Sequence, residues 1–206
     1  TVKSYDGTAS HTITVNILGS NDAPRITSGM SSSVHENSPT STWVYQATAT
    51  DPDAGDTVTW SLSGTDAAKL NIAADGKVTL KASADYEVQS SYRFNVVATD
   101  NDGLTTNTAV TLVVTNVNEA PTITSGTTGS VAENARTSTE GYQATATDPD
   151  TGDKVTWSLT GTDAAKFNIG TDGKVTLKAS ADFEAQSSYS FNVVATDKGG
   201  LATSKS

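Results

Sequence analysis

Apolar residues recur at every second position in short runs along most of the chain. The runs are Tyr45, Ala47 and Ala49 set against Gln46, Thr48 and Thr50; Val58, Trp60 and Leu62; Val78 and Leu80; Tyr92, Phe94, Val96 and Ala98; and Val110, Leu112 and Val114. Successive side chains of an extended strand point to opposite faces, so a period of two predicts half-buried strands. Turn residues separate the runs. Asp75-Gly76 and Asp172-Gly173 predict two-residue hairpins, Pro52, Gly55 and Gly103 end other runs, and short helical turns are expected at Thr65–Ala68 and Thr162–Ala165.

The pattern then repeats. Residues 22–109 match residues 119–206 at an offset of 97 without a gap, with 63 identities in 88 positions. This divides the chain into residues 1–21, the terminal strand and linker of a preceding repeat; 22–118, the first repeat; and 119–206, a second repeat whose last strand is truncated. The tail ends in Asn21-Asp22-Ala23-Pro24, the counterpart of Asn118-Glu119-Ala120-Pro121, and residues 11–18 (HTITVNIL) alternate as a closing strand does. About seven evenly spaced strands per repeat is the count of an Ig-like sandwich, so the expected fold is all-β, two Greek-key β-sandwiches in tandem. Because the second repeat lacks a counterpart of Val110–Asn118, it should expose a strand edge and part of its core. Either the tail strand of another copy completes it, head to tail, or the tail is disordered and the chain is a monomer.

Composition narrows the function. Thr occurs 35 times, a β-branched bias that suits strands. With no Cys and two His, zinc modules, disulfide scaffolds and thiol nucleophiles are excluded. No apolar run approaches the roughly 20 residues that span a bilayer, so membrane insertion is not expected. No charged-plus-apolar signal segment opens the chain, which reads as starting inside a longer protein. A formal charge of −10 disfavours phosphate backbones and favours cations as partners.

The acids recur at matched places: Glu36 and Glu133 in EN, Asp51 and Asp53 with Asp148 and Asp150 in ATDPD, Asp85 and Glu87 with Asp182 and Glu184 in AD[YF]E, and Asp100 with Asp197 in VVATD. In an extended segment residues i and i+2 face the same way, so each pair can address one ion. Calcium takes six to eight hard oxygens, which such strand ends can supply. A lone turn carboxylate more often caps a backbone N–H, and Asp56, Asp153, Asp66, Asp163, Asp75 and Asp172 are assigned that role. No nucleophile elbow, phosphate loop, HExxH or EF-hand is present, and His35 is replaced by Ala132, so no enzyme is expected.

With these motifs the chain resembles the cadherin repeat in its bacterial form, the calcium-binding sandwich of large surface adhesins, and its tail resembles the closing strand of VCBS-type repeats. The resemblance implies calcium where consecutive repeats join, held by Glu36, Asp85, Glu87, Asn116, Asn118, Glu119, Asp148, Asp150 and Asp197. It implies an upstream half-site of Asn21, Asp22, Asp51, Asp53 and Asp100, and a downstream half-site of Glu133, Asp182 and Glu184. The family linker begins with an acid where this chain has Asn116, and it is one residue longer. The implied function is an extracellular stalk or cell-adhesion module, secreted or on the cell surface, that calcium rigidifies and whose partners are neighbouring repeats. The alternative is a carbohydrate-binding module for a polysaccharide or cell-surface ligand, which would need Trp43, Tyr45 or Tyr142 to form an exposed flat patch; direct homophilic or heterophilic adhesion is a third reading. Trp60 and Trp157 are expected to pack on the sheet.

Overall fold

A computed structural model of the chain describes residues 2–3, 5–7 and 10–206. It forms two compact units. The first comprises Thr1–Val34, Ser38–Ala84 and Ser91–Val113, and the second comprises His35–Asn37, Asp85–Ser90 and Val114–Ser206.

The strands in chain order are β1 (Val2–Lys3), β2 (Ser10–His11), β3 (Arg25–Ile26), β4 (Ser31–His35), β5 (Trp43–Gln46), β6 (Ala49–Thr50), β7 (Thr59–Ser63), β8 (Leu70–Ile72), β9 (Lys77–Leu80), β10 (Ser91–Thr99) and β11 (Thr105–Thr115). They make a four-stranded sheet ordered β4-β11-β10-β7, a three-stranded sheet ordered β5-β9-β8, and short ladders β3-β6 and β1-β2. The alternation read from the sequence now has a cause. Val78, Phe94, Val96, Val110 and Leu112 point between the two sheets and are buried, and the intervening residues face out. Tyr45 meets Phe94 edge-to-face with ring centroids 6.1 Å apart.

The second unit repeats the plan with β12 (Thr122–Ile123), β13 (Glu140–Gln143), β14 (Ala146–Thr147), β15 (Thr156–Thr160), β16 (Phe167–Ile169), β17 (Lys174–Leu177), β18 (Asn192–Thr196) and β19 (Ala202–Lys205). Its core is Ile123, Ala144, Phe167, Val175, Leu177, Val193 and Ala195. Sheets β15-β18-β19 and β13-β17-β16 correspond to those of the first unit, with the edge beyond Asn192 left open.

Three local expectations shift. The Asp-Gly turns are not two-residue hairpins: the Gly76 N–H donates to Ala73 O and the Ala73 N–H to Lys77 O, so the loop holds Ala74, Asp75 and Gly76. A two-residue turn of that type needs positive φ at both central residues, and only Gly76, at +80°, has it. The glycine is required there because a Cβ would lie 2.5 Å from Ala47 O. The run from Tyr45 to Ala49 is split into β5 and β6, because the chain changes partner there: Gln46 still pairs with Lys77 of β9, whereas Ala49 pairs with Ile26 of β3. The helical turns are single 3-10 turns at Ala67–Lys69 and Ala164–Lys166, two residues later than expected. In the tail, residues 12–18 carry no strand and their side chains are exposed.

Candidate metal centre

The second unit gathers acids at the start of its chain path. Glu36 is 3% exposed, and both its oxygens accept backbone N–H groups, from Tyr86 and from Val117, each at 2.7 Å. This fixes the carboxylate beside Glu87 and Glu119, and ligand oxygens of the three lie within 4.8 Å of one another. Oxygens at about 2.4 Å from one calcium ion can be at most about 4.8 Å apart, so the three fit one coordination sphere. The Asn37 amide donates to Glu119 at 2.7 Å and the Asn116 amide to Glu87 at 3.3 Å, holding both side chains in place.

A second group adjoins the linker. The Asn118 amide donates to Asp197 at 2.7 Å, the Glu119 N–H to Asp150 at 2.7 Å, and the Asp150 N–H to Asp148 Oδ1 at 3.0 Å. Asp148 Oδ2 is buried with no hydrogen-bond partner. An ionised oxygen without a partner is costly to bury, and a cation is one partner that would satisfy such an atom. Burial, followed by the charges of Asp150, Asp153 and Asp197, raises the Asp148 pKa above the ordinary carboxylate value against the pull of the Asp150 N–H. Partial desolvation and then the charges of Glu36, Asp150 and Glu119 raise Glu87. Desolvation would raise Asp197 too, but the Asn118 amide and the N–H groups of Leu201, Gly200 and Gly199 outweigh it and hold the pKa down.

The first unit builds the same device 97 residues earlier. The Asn21 amide donates to Asp100 at 2.9 Å, the Asp22 N–H to Asp53 at 2.7 Å and the Asp53 N–H to Asp51 Oδ1 at 2.9 Å, while Asp51 Oδ2 is again buried and unpartnered. Two copies of one orphaned oxygen, in separate units, make a chance packing fault a poor account. Here ligand oxygens of Asp51, Asp56 and Asp100 lie within 4.8 Å of one another. Asp56, assigned to a turn from the sequence, donates its N–H to Asp53 O in such a turn and also lies in this cluster, where its Oδ1 accepts from the Asn101 amide at 3.2 Å. Its counterpart Asp153 lines a polar cleft with Glu87, Asn116, Asn118 and Asp150. The signal available was its recurrence at the same offset as the DPD pair.

Asp66, Asp163 and Asp75 behave as turn residues, as expected. Asp66 and Asp163 accept the N–H groups of Arg93 at 2.8 Å and Ser190 at 2.9 Å and pair with Lys69 and Lys166. Asp75 accepts from the Lys77 N–H. Asp85 and Asp182 accept from the N–H groups of Val88 and Ala185 and stand outside the acid clusters found among the described residues. Glu133 and Glu184 are exposed and likewise unclustered there.

The aromatic patch is not assembled. Tyr45 is buried, its hydroxyl donating to Ser28 Oγ and Gly29 O, and Tyr142 is half-buried with its hydroxyl on Ser125 Oγ and Gly126 O. Trp43 is exposed. Trp60 and Trp157 are half-buried on β7 and β15, as expected for sheet packing. Retention on insoluble cellulose or chitin is therefore expected to stay at background, with or without calcium, and Trp43→Ala to change nothing in a pull-down.

Tandem β-sandwiches, each with acids presented from its strand ends, define a modular β-repeat of the adhesion type. The chain belongs to the Cadherin domain family, which matches it over residues 30–118 and 127–206. It is 34% identical over 223 aligned residues to human protocadherin Fat 4, covering 100% of this chain and 4% of that protein. It is 32% identical over 206 residues to mouse cadherin EGF LAG seven-pass G-type receptor 2, covering 93% of this chain and 7% of that protein. In fold it resembles human protocadherin-24 EC1-2, with a TM-score of 0.69 at 22% identity over 90% of this chain and 94% of that one. Drosophila N-cadherin EC1-4 is similar over 89% of this chain and 48% of that one, with a TM-score of 0.66 at 22% identity.

Proposed function

We propose that the chain is a calcium-stiffened stalk or adhesion segment of an extracellular protein. The observation that carries this reading is the pair of buried, unpartnered oxygens on Asp51 and Asp148, each beside further carboxylates. Calcium suits the donor set because all the candidate ligands are hard oxygens and the acids come from several separate segments. In the second unit Glu36, Glu87 and Glu119 would hold one ion, and Asp148, Asp150, Asp197 and Asn118 another. Bound calcium supplies the positive charge that offsets mutual repulsion among these groups.

The residues do the mechanical work. Glu36 clamps the Val117 N–H, Asp150 the Glu119 N–H and Asp197 the Asn118 amide, so the linker Asn116–Pro121 is held by three carboxylates. Those clamps act well only while their charges are balanced, so calcium loss loosens the linker and calcium gain sets it. The finer assignment, to bacterial surface adhesins, is supported by the near-duplicate repeats, the linker one residue shorter than the animal pattern, and the tail's likeness to VCBS-type closing strands. The relatives named above are animal proteins of which the chain spans a small part, so adhesion itself belongs to this proposal. Structural and adhesive roles are favoured over catalysis because, among the described residues, the apolar groove of the second unit is lined by a single acid, Glu133, and not by a pair of the sort that tunes a general acid.

On going from chelator to millimolar calcium the melting temperature is expected to rise, because calcium binds the native clusters and not the unfolded chain. Small-angle scattering should show the stiffened linker as a larger radius of gyration. An unchanged melting curve together with an unchanged radius would contradict the proposal.

A further inference from the structure

The two units build the same acid device from residues 97 apart, yet three exchanges beside the acids all shift the local charge in one direction. Thr57, Asn101 and Asp102 of the first unit become Lys154, Lys198 and Gly199 of the second. Lys154 directly follows Asp153, Lys198 directly follows Asp197, and both lysines are exposed.

In the first unit the partners of Asp56 are neutral. The Thr57 hydroxyl donates to Asn101 Oδ1 at 2.8 Å and the Asn101 amide to Asp56 Oδ1 at 3.2 Å, which aims the carboxylate without adding charge. Asp102 brings a further acid, its N–H donating to Asp100 Oδ1 at 2.9 Å. Partial desolvation and then the charges of Asp51, Asp102 and Asp100 raise the Asp56 pKa against the pull of the Asn101 amide, so Asp102 is felt by the same cluster. Asp22, Asp51, Asp53, Asp56, Asp100 and Asp102 thus belong to one network, and it contains the orphaned Asp51 Oδ2.

The second unit is poorer in charge at the same place. Its network has Glu119, Asp148, Asp150, Asp153 and Asp197, and Gly199 offers no carboxylate where Asp102 stands. Glu36 and Glu87 lie in the same unit but would serve the ion of the glutamate group, so seven carboxylates and two lysines are shared between two ions. Geometry points the same way. Among the described residues Asp51, Asp56 and Asp100 bring ligand oxygens within 4.8 Å of one another, and their counterparts Asp148, Asp153 and Asp197 form no such group.

We propose that the two copies are graded: the first unit's site fills first, the site of Asp148 and Asp197 fills at about tenfold higher calcium, and Lys154 and Lys198 set most of the difference. The inference rests on the calcium reading and adds an order of filling to it. A unit charge about one Debye length from a divalent ion in water changes its affinity roughly twofold to threefold, so three shifts of one charge each make about tenfold. The order has a mechanical consequence. Asp150 accepts the Glu119 N–H and Asp197 the Asn118 amide, so the linker Asn116–Pro121 is gripped by acids of the weaker site. The first unit therefore holds calcium at concentrations that leave the linker loose, and the linker sets as calcium rises further.

The test is calcium titration of the full chain by isothermal calorimetry. Asp51→Asn and Asp148→Asn each remove one binding step and so assign it. The step lost with Asp51→Asn should lie at about tenfold lower calcium than the step lost with Asp148→Asn. Lys154→Thr combined with Lys198→Asn, which installs the first unit's residues, should move the second step about fivefold towards lower calcium and leave the first in place. Lys174→Gln, on β17, removes a charge elsewhere in the second unit and should leave both steps in place. Steps at equal calcium, the reverse order, a second step that the paired lysine variant does not move, or an equal shift from Lys174→Gln overturns the inference while the calcium reading stands. Absence of any calcium-binding step overturns that reading and this inference with it.

Discussion

Asp148→Asn is expected to raise the melting temperature in chelator and to remove most of the gain that calcium gives. The amide keeps the oxygen that accepts from the Asp150 N–H and places a donor, instead of a second anionic oxygen, among Asp150, Asp153 and Asp197. Opposite signs with and without calcium are what separate a ligand from a structural turn acid, whose loss lowers stability in both conditions. The pH dependence follows from the raised pKa. In the unfolded chain Asp148 titrates near about 3.9, whereas in the folded chain burial and the neighbouring charges hold the proton to higher pH. Between those two values the native state binds more protons than the unfolded one, so this group's contribution to stability falls as pH rises through the window and is constant above it. In chelator, the advantage of Asp148→Asn over wild type should therefore grow across that window and level off. Chemical denaturation at a series of pH values checks this, and a constant difference at all pH values would contradict it.

The second large effect lies in the packing. Leu112→Ala should cost the first unit about 2–5 kcal/mol, the range for deleting a buried leucine side chain where the surroundings cannot collapse. Leu112 has no exposed surface, and it sits in a central strand between two paired neighbours, so relaxation is restricted. The melting profile should show the first unit's transition moving down while that of the second unit moves little. Leu18→Ala, at an exposed leucine of the tail, is the control and should leave both transitions in place.

Much of the fold was legible because both sides of each strand differ in polarity. Phe94, Val96, Val110 and Leu112 could be placed in the core from spacing alone, since only one face of a sandwich sheet is dry. The break between β5 and β6 was not legible: Ala47 keeps the alternation going, and the break comes where the chain exchanges β9 for β3 as its partner, a pairing between distant residues. The turns were located but mistyped, because an Asp-Gly pair marks a positive φ at the glycine and leaves the backbone of the preceding residues undecided.

The candidate centre was legible through recurrence more than through any single residue. Glu36, Glu87, Asp51 and Asp100 stood out as matched acids, and the structure brings them into groups, Glu36 with Glu87 and Asp51 with Asp100. Asp56 did not, because one aspartate beside Gly55 reads as turn chemistry until its carboxylate is seen near Asp51 and Asp100. Asp85 and Asp182, whose paired spacing with Glu87 and Glu184 suggested ligands, each give one oxygen to a backbone N–H, of Val88 and of Ala185. Spacing along a strand tells which way a side chain leaves the backbone. It does not tell whether a nearby N–H will claim the carboxylate first.

Calcium bound per chain, measured by equilibrium dialysis of the dilute protein, tests the central claim most directly. At least two ions per chain are expected at millimolar calcium, with fewer bound by Asp148→Asn and an unchanged number by Asp75→Ala, whose carboxylate pairs with Lys77 in a turn. No calcium retained above the blank, or a loss equal in the two variants, would contradict it.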